Sequence, residues 1–335
     1  MNFKSIKNYL QSIIIICFCS LENDLKALNQ TNQLYCDHCN ESIEDYYINY
    51  DNKTYHKSCY EEHIQLRCDH CNDPIDGTYN IEKNKNYHKS CFTNNILDRC
   101  DACGEPINSN YIVDYYGNKY HQYHTKKFST CESCSRLICK RITNGGISIS
   151  GNRKICNMCR KDVVTDKINL NEISEKVRRR LIKLGMNNIP RNIPIILVDD
   201  RITLNKLSDM RLGENINGYT RYEYEKLGSR IISKKYQIYV LSSLHKIIFE
   251  AVLAHELMHV YLFQNNLFPD SDIREGFCNL GPKIIYENYD NEIAQSKLHA
   301  MFNDDDPDYG LGFQKMNIRL QREGWSNLLQ YVNKK

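Results

Sequence analysis

"LAHELMHVYL", residues 253–262, sets His255 and His259 four positions apart, with Glu256 directly after the first and apolar residues on both sides. At helical pitch the two imidazoles lie one turn apart on one face and can reach a single ion, while Glu256 is rotated by about 100° from His255. Nearly every other residue from Ala251 to Phe263 is apolar, so this helix is expected to be buried on most sides. Three polar side chains in a dry helix are costly without a partner, and a zinc ion supplies one.

Two histidines need a third protein ligand. Sixteen residues after His259, "DIREGFC" (272–278) offers Glu275 at the expected start of the next helix. Two histidines and one glutamate leave the fourth tetrahedral position to water, the arrangement of a catalytic site. The competing reading of Glu275 is an exposed acid favoured by the helix dipole. Asn279, one turn further on, reads as an ordinary helix-face residue, with a supporting role behind a metal ligand as the alternative.

Around this motif the segment from Lys161 onward has the patterning of a conventional α+β domain. A helix over 171–184 is stopped by Gly185, and "IPIILVDD" (193–200) reads as a buried strand. "YTRYEYEKL" and "SRIISKKYQIYVLSSL" are sheet-forming segments between Gly218 and Leu244. The stretch "QIYVLSSL" (237–244) is expected to present a sheet edge able to pair with an extended substrate.

Upstream the composition is different. Of sixteen cysteines, nearly all precede residue 160. "CDHCNESI", "CDHCNDPI" and "CDACGEPI" recur every 32 residues, each followed by a second ligand pair. The sets are Cys36, Cys39, His56 and Cys59; Cys68, Cys71, His88 and Cys91; Cys100, Cys103, His121 and His124; and the all-cysteine Cys131, Cys134, Cys156 and Cys159. Pairs two residues apart chelate one metal more readily than they pair across a fold, so four structural zinc ions are expected in place of disulfides. In each unit of about 30 residues the metal replaces an apolar core. His38, His63 and His70 fall outside the spacing and read as surface residues, and Cys139 and Cys278 as buried or free thiols.

The formal charge is +3. Counting twelve ligand thiolates as anions and five zinc ions brings it to about +1. The one dense basic run, "KVRRRLIK" (176–183), belongs to an amphipathic helix through Ile173, Val177, Leu181 and Leu184, so no nucleic-acid partner is expected. At the N-terminus two lysines precede a short apolar stretch, Leu10 to Cys19. That pattern suits a signal peptide or N-terminal anchor over 1–20, with membrane association through it, and is too short to span a bilayer. Export or anchoring is favoured on this ground. A dozen zinc thiolates argue for the cytoplasmic alternative. A linker over 21–34, the zinc array over 35–160 and the second domain over 161–335 complete the expected organisation.

The second domain resembles the peptidase domain of the DA-one family, plant organ-size regulators that carry LIM-type zinc modules ahead of a zinc peptidase. The resemblance is carried by "IPIILVDD", "LAHELMHVYL", "REGFCN" (274–279) and "DPDYGLGF" (306–313), with "CYEEHIQLRC" (59–68) and "CESC" and "CNMC" (131–134 and 156–159) fitting the preceding zinc region. It implies an array of small zinc-ribbon or LIM-like modules followed by a zincin-like, gluzincin-type metallopeptidase acting on protein substrates, with the array recognising substrate or a protein partner. There are departures. Eight residues, not two, separate Cys59 from Cys68 and Cys91 from Cys100, and the family's acidic pair is Arg274 and Glu275 here. With no ubiquitin-interacting helix ahead of the modules, the family's activation by ubiquitination is not carried over.

The expected chemistry is peptide hydrolysis. His255, His259 and Glu275 hold one catalytic zinc, which brings the pKa of its water toward ~7, and Glu256 moves the proton from that water to the leaving amine. Tyr309, in "DPDYGLGF", is the candidate donor to the developing oxyanion, with a tyrosine packed at a turn as the competing reading.

Overall fold

In the computed structural model, residues 33–165, 170–208 and 216–334 are described, together with the two-residue strand Ile6–Lys7. The signal or anchor segment and the linker up to residue 32 otherwise lie outside the described residues. Two compact units emerge, one holding residues 33–111 and 119–121, the other 112–118 and everything from Gln122 onward. The boundary therefore falls ahead of the fourth cysteine set and not at residue 160, because that set is packed into the second unit.

In the first unit the 32-residue repeat is a structural repeat. The residue after each C-x2-C pair must take a left-handed conformation for backbone amides to turn back onto the sulfurs, which is why Asn40 (φ 61°), Asn72 (φ 64°) and Gly104 (φ 87°) stand there. A hairpin follows each of the first two turns, Tyr47–Tyr50 with Lys53–His56 and Tyr79–Glu82 with Lys85–His88. Both central residues of each hairpin turn have positive φ, Asp51 and Asn52, then Lys83 and Asn84, the geometry a two-residue connection requires. Arg67 joins the first two modules by donating to the carbonyls of Glu61 (2.7 Å) and Asn72 (3.1 Å). His38, His63 and His70 are exposed.

The second unit is built on helix α1 (Leu170–Lys183), strand β1 (Ile195–Val198), helix α2 (Arg201–Leu207), strands β2 (Gly218–Leu227) and β3 (Arg230–Leu241), and helices α3 (Lys246–Gln264), α4 (Ser271–Cys278), α5 (Leu280–Tyr286), α6 (Glu292–Phe302) and α7 (Gly312–Val332). Ile173, Val177 and Leu181 bury the apolar face of α1, and among the arginines of its basic run Arg178 is also buried, paired with Glu175 at 2.8 Å.

The sheet runs β1-β3-β2, with β1 and β3 parallel and β2 and β3 antiparallel. This corrects the expectation for residues 237–244. The stretch from Gln237 to Leu241 lies in the central strand, its backbone groups paired on both sides, and cannot accept a further strand. Ser243 (φ 57°) then turns the chain, and Leu244–His245 pairs instead with Val163–Val164. The apolar run in β3 has the composition of a strand covered on both faces, so the sheet's outer strand next to α3 is β2.

Helix α3 is the core of this unit. Its length and hydropathy suit a membrane crossing, yet most of it is buried inside the fold. Its last carbonyls, Phe263 and Gln264, are satisfied by Lys234 Nζ of β3 at 2.8 and 2.7 Å, a cation at the negative end of the helix dipole. Glycines let α4 approach α7 closely: a Cβ on Gly276 would stand 2.3 Å from the Gly312 backbone.

Candidate metal centres

Five groups of metal-ligating side chains are drawn together among the described residues. Four are the Cys/His sets, containing Cys36, Cys39, His56 and Cys59; Cys68, Cys71, His88 and Cys91; Cys100, Cys103, His121 and His124; and Cys131, Cys134, Cys156 and Cys159. The fifth is His255, His259 and Glu275. Within every group the donor atoms lie within 4.8 Å of one another.

In the first two sets the imidazole Nδ1 faces the sulfurs: His56 Nδ1 is 3.4 Å from Cys39 Sγ and 3.9 Å from Cys59 Sγ, and His88 Nδ1 is 3.4 Å from Cys71 Sγ and 3.8 Å from Cys91 Sγ. Zinc bonds of 2.0–2.3 Å at tetrahedral angles put neighbouring donors roughly 3.5 Å apart, so these spacings fit the ion. The other ring nitrogen is tied to a backbone carbonyl, His56 Nε2 to Ser42 (3.1 Å), His88 Nε2 to Pro74 (2.8 Å) and His121 Nε2 to Pro106 (3.1 Å). That contact selects the tautomer whose Nδ1 lone pair is available to a metal. Burial works to raise the Cys36 thiol, and backbone amides of Cys39, His56 and His38 overcome it and hold the group at about 6. Burial and the neighbouring Cys36 and Cys39 sulfurs push Cys59 of the same set up to about 11, so zinc binding there would release protons.

The all-cysteine set is buried and belongs to the second unit. Glu132, one residue after Cys131, accepts from Arg153 Nε at 2.7 Å and pairs with Arg201 at the start of α2. Arg136 pairs with Glu292 at the start of α6 and lies 3.3 Å over the Tyr116 ring, whose hydroxyl donates to Ser296 at 3.0 Å. Cys139 and Cys278 are buried thiols in no group.

At the third kind of site, the expected helix positions converge. His255 Nε2 and His259 Nε2 are 3.0 Å apart, and Glu275 Oε2 lies 3.4 Å from the first and 3.3 Å from the second. Donors about 2.0–2.1 Å from a tetrahedral zinc are roughly 3.3 Å apart, so the triangle has the size of a zinc face. Glu275 Oε2 is buried and finds no well-aligned hydrogen-bond donor among the described residues, a cost that a cation in the triangle removes. Burial works against ionisation of Glu275, but His255 and His259 outweigh it and hold the carboxyl well below the usual range. For His255 burial likewise opposes the charge, and Glu275 and Glu256 raise its pKa.

Several residues position this triangle. Asn279 Oδ1 lies 2.9 Å from His255 Nδ1, and its Nδ2 donates to the Tyr309 carbonyl at 2.8 Å, so it is more than a helix-face residue. Arg274 Nε donates to Glu275 Oε1 at 3.0 Å and leaves Oε2 to the histidines. Arg274 thereby fixes which carboxylate oxygen faces the two imidazoles. The Tyr309 ring centroid is 6.2 Å from that of His255, with the planes 24° apart, on the turn Pro307–Leu311. Glu256 is buried and accepts from Thr220 Oγ1 of β2 at 2.7 Å. Thr220 escaped the sequence reading, because "YTRYEYEKL" announces a strand and nothing local says which residue meets the helix. No protein-family model matches the chain, and no curated protein matches it either.

Proposed function

We propose that the chain is a zinc-dependent peptidase acting on protein substrates, with its Cys/His modules serving substrate or partner recognition. The observation that carries the proposal is the convergence of His255 Nε2, His259 Nε2 and Glu275 Oε2 on one point, with Glu256 as the adjacent carboxylate. Kinship with the DA-one family belongs to the same proposal and rests on the motif order given above.

His255, His259 and Glu275 are the residues that would hold the ion. When bound, zinc supplies Lewis acidity to the scissile carbonyl and acidifies water to near neutrality. Glu256 receives the proton as the water attacks and delivers it to the departing amine, so one carboxylate serves as base and then acid. Tyr309, on a turn tied to Asn279 through its backbone carbonyl and with its ring beside His255, is the candidate oxyanion donor.

The test is cleavage of a mixed peptide library by wild type and Glu256→Gln, read by mass spectrometry, with zinc content measured for both. Glu256 is not one of the three ligands, so the variant is expected to keep its metal and lose cleavage by a factor of 10² or more. Cleavage by the variant at the wild-type rate eliminates the mechanism. A zinc-loaded wild type that cuts nothing favours the other reading, an interaction scaffold, which the serial modules joined through Arg67 support.

A further inference from the structure

The first strand of the hairpin grips the general base. Thr220 is buried in β2, pairs with Ile238 of β3, and directs its hydroxyl onto Glu256, 2.7 Å from Oε2 and 3.1 Å from the main-chain oxygen of the same residue. Two residues earlier on the same face, Gly218 lies so close to α3 that a Cβ there would stand 2.6 Å from Glu256 Oε1 and 2.6 Å from Val252 Cγ1. One carboxylate oxygen therefore has a hydroxyl donor, and the other lies so close to Gly218 that no side chain fits between them.

A glutamate side chain has three rotatable bonds and spends several rotamers in solution, so a base must be held in one of them to act at a constant distance from its water. We propose that Thr220 is a positioning residue for Glu256, its hydroxyl selecting the carboxylate rotamer from which proton transfer occurs. This inference rests on the peptidase reading.

The experiment combines crystal structures of the zinc-loaded wild type, Thr220→Val and Thr220→Ser with kcat and KM on a peptide chosen from the library. Valine keeps the shape and removes the hydroxyl; serine keeps the hydroxyl. In the valine variant Glu256 is expected to leave its wild-type rotamer, kcat to fall about thirtyfold, the loss of one hydrogen bond to a charged group, and KM and zinc content to stay within about twofold. Serine is expected to restore both rotamer and rate to within about threefold. An unmoved Glu256 in the valine variant, or a loss of kcat that serine does not repair, overturns the proposal. Should wild type prove inactive while Glu256 still moves in the valine variant, the peptidase reading fails and the positioning stands. If valine prevents folding, Thr220→Ala removes the hydroxyl without added bulk and is read in the same way.

Discussion

Replacing Asn279 by alanine removes two contacts at once. Oδ1 no longer fixes the His255 ring at Nδ1 (2.9 Å), and the Tyr309 carbonyl loses its donor (2.8 Å). Free of the first, His255 can rotate and change tautomer, so the nitrogen facing Glu275 is no longer held as the lone-pair form. Removing such a partner typically weakens a metal site ten- to a hundredfold, about 1.4–2.7 kcal/mol. The second loss acts on the turn that carries Tyr309 and costs about 1 kcal/mol of folding free energy. The assay is a zinc competition titration against a chelator too weak to strip the thiolate sets, so that only the His255, His259 and Glu275 site reports. Asn279→Asp separates the two effects: it retains an acceptor beside Nδ1, forfeits the donor to Tyr309, and is expected to recover most of the affinity while keeping the stability loss. Wild-type zinc affinity in Asn279→Ala would refute the reasoning, as would an aspartate variant that binds no better than alanine.

Three further outcomes are expected. Cys156→Ser, which removes a ligand from the buried set tied to α2 and α6, should cost the folding of the whole second unit, because a structural zinc is worth roughly 10 kcal/mol, comparable to a domain's total stability. Cys71→Ser, in the other unit, should lose one zinc and leave protection of His255 and its helix unchanged; limited proteolysis with metal analysis distinguishes the two, and full protection in Cys156→Ser would contradict the assignment. Tyr309→Phe should lower kcat ten- to a hundredfold at constant zinc content if the phenol serves the oxyanion, and an undiminished rate leaves Tyr309 as a packing residue.

Sequence alone determined the features whose physics is local. Two cysteines separated by two residues must turn around one point, and a pair of histidines four apart on a helix must share a face. The metal-ligand groups were legible for that reason, and the 32-residue repeat with them. Tertiary structure decided the rest. Whether Gln237–Leu241 lies at an edge or in the middle depends on β1 and β2 pairing with it from opposite sides, contacts between segments far apart in the chain that its own alternation cannot reveal. The fourth cysteine set looks like one more module by spacing, yet its charged neighbours Glu132 and Arg136 bind α2 and α6, which begin more than sixty residues later. Asn279 reads first as a helix-face residue, and nothing local marks Arg274 or Thr220, until folding brings the three onto His255, Glu275 and Glu256. The spacing of the candidate ligands is largely local, set by short loops in the Cys/His sets and by one helical turn between His255 and His259, whereas the groups that orient them arrive from distant elements whose approach is set by the packing of the core.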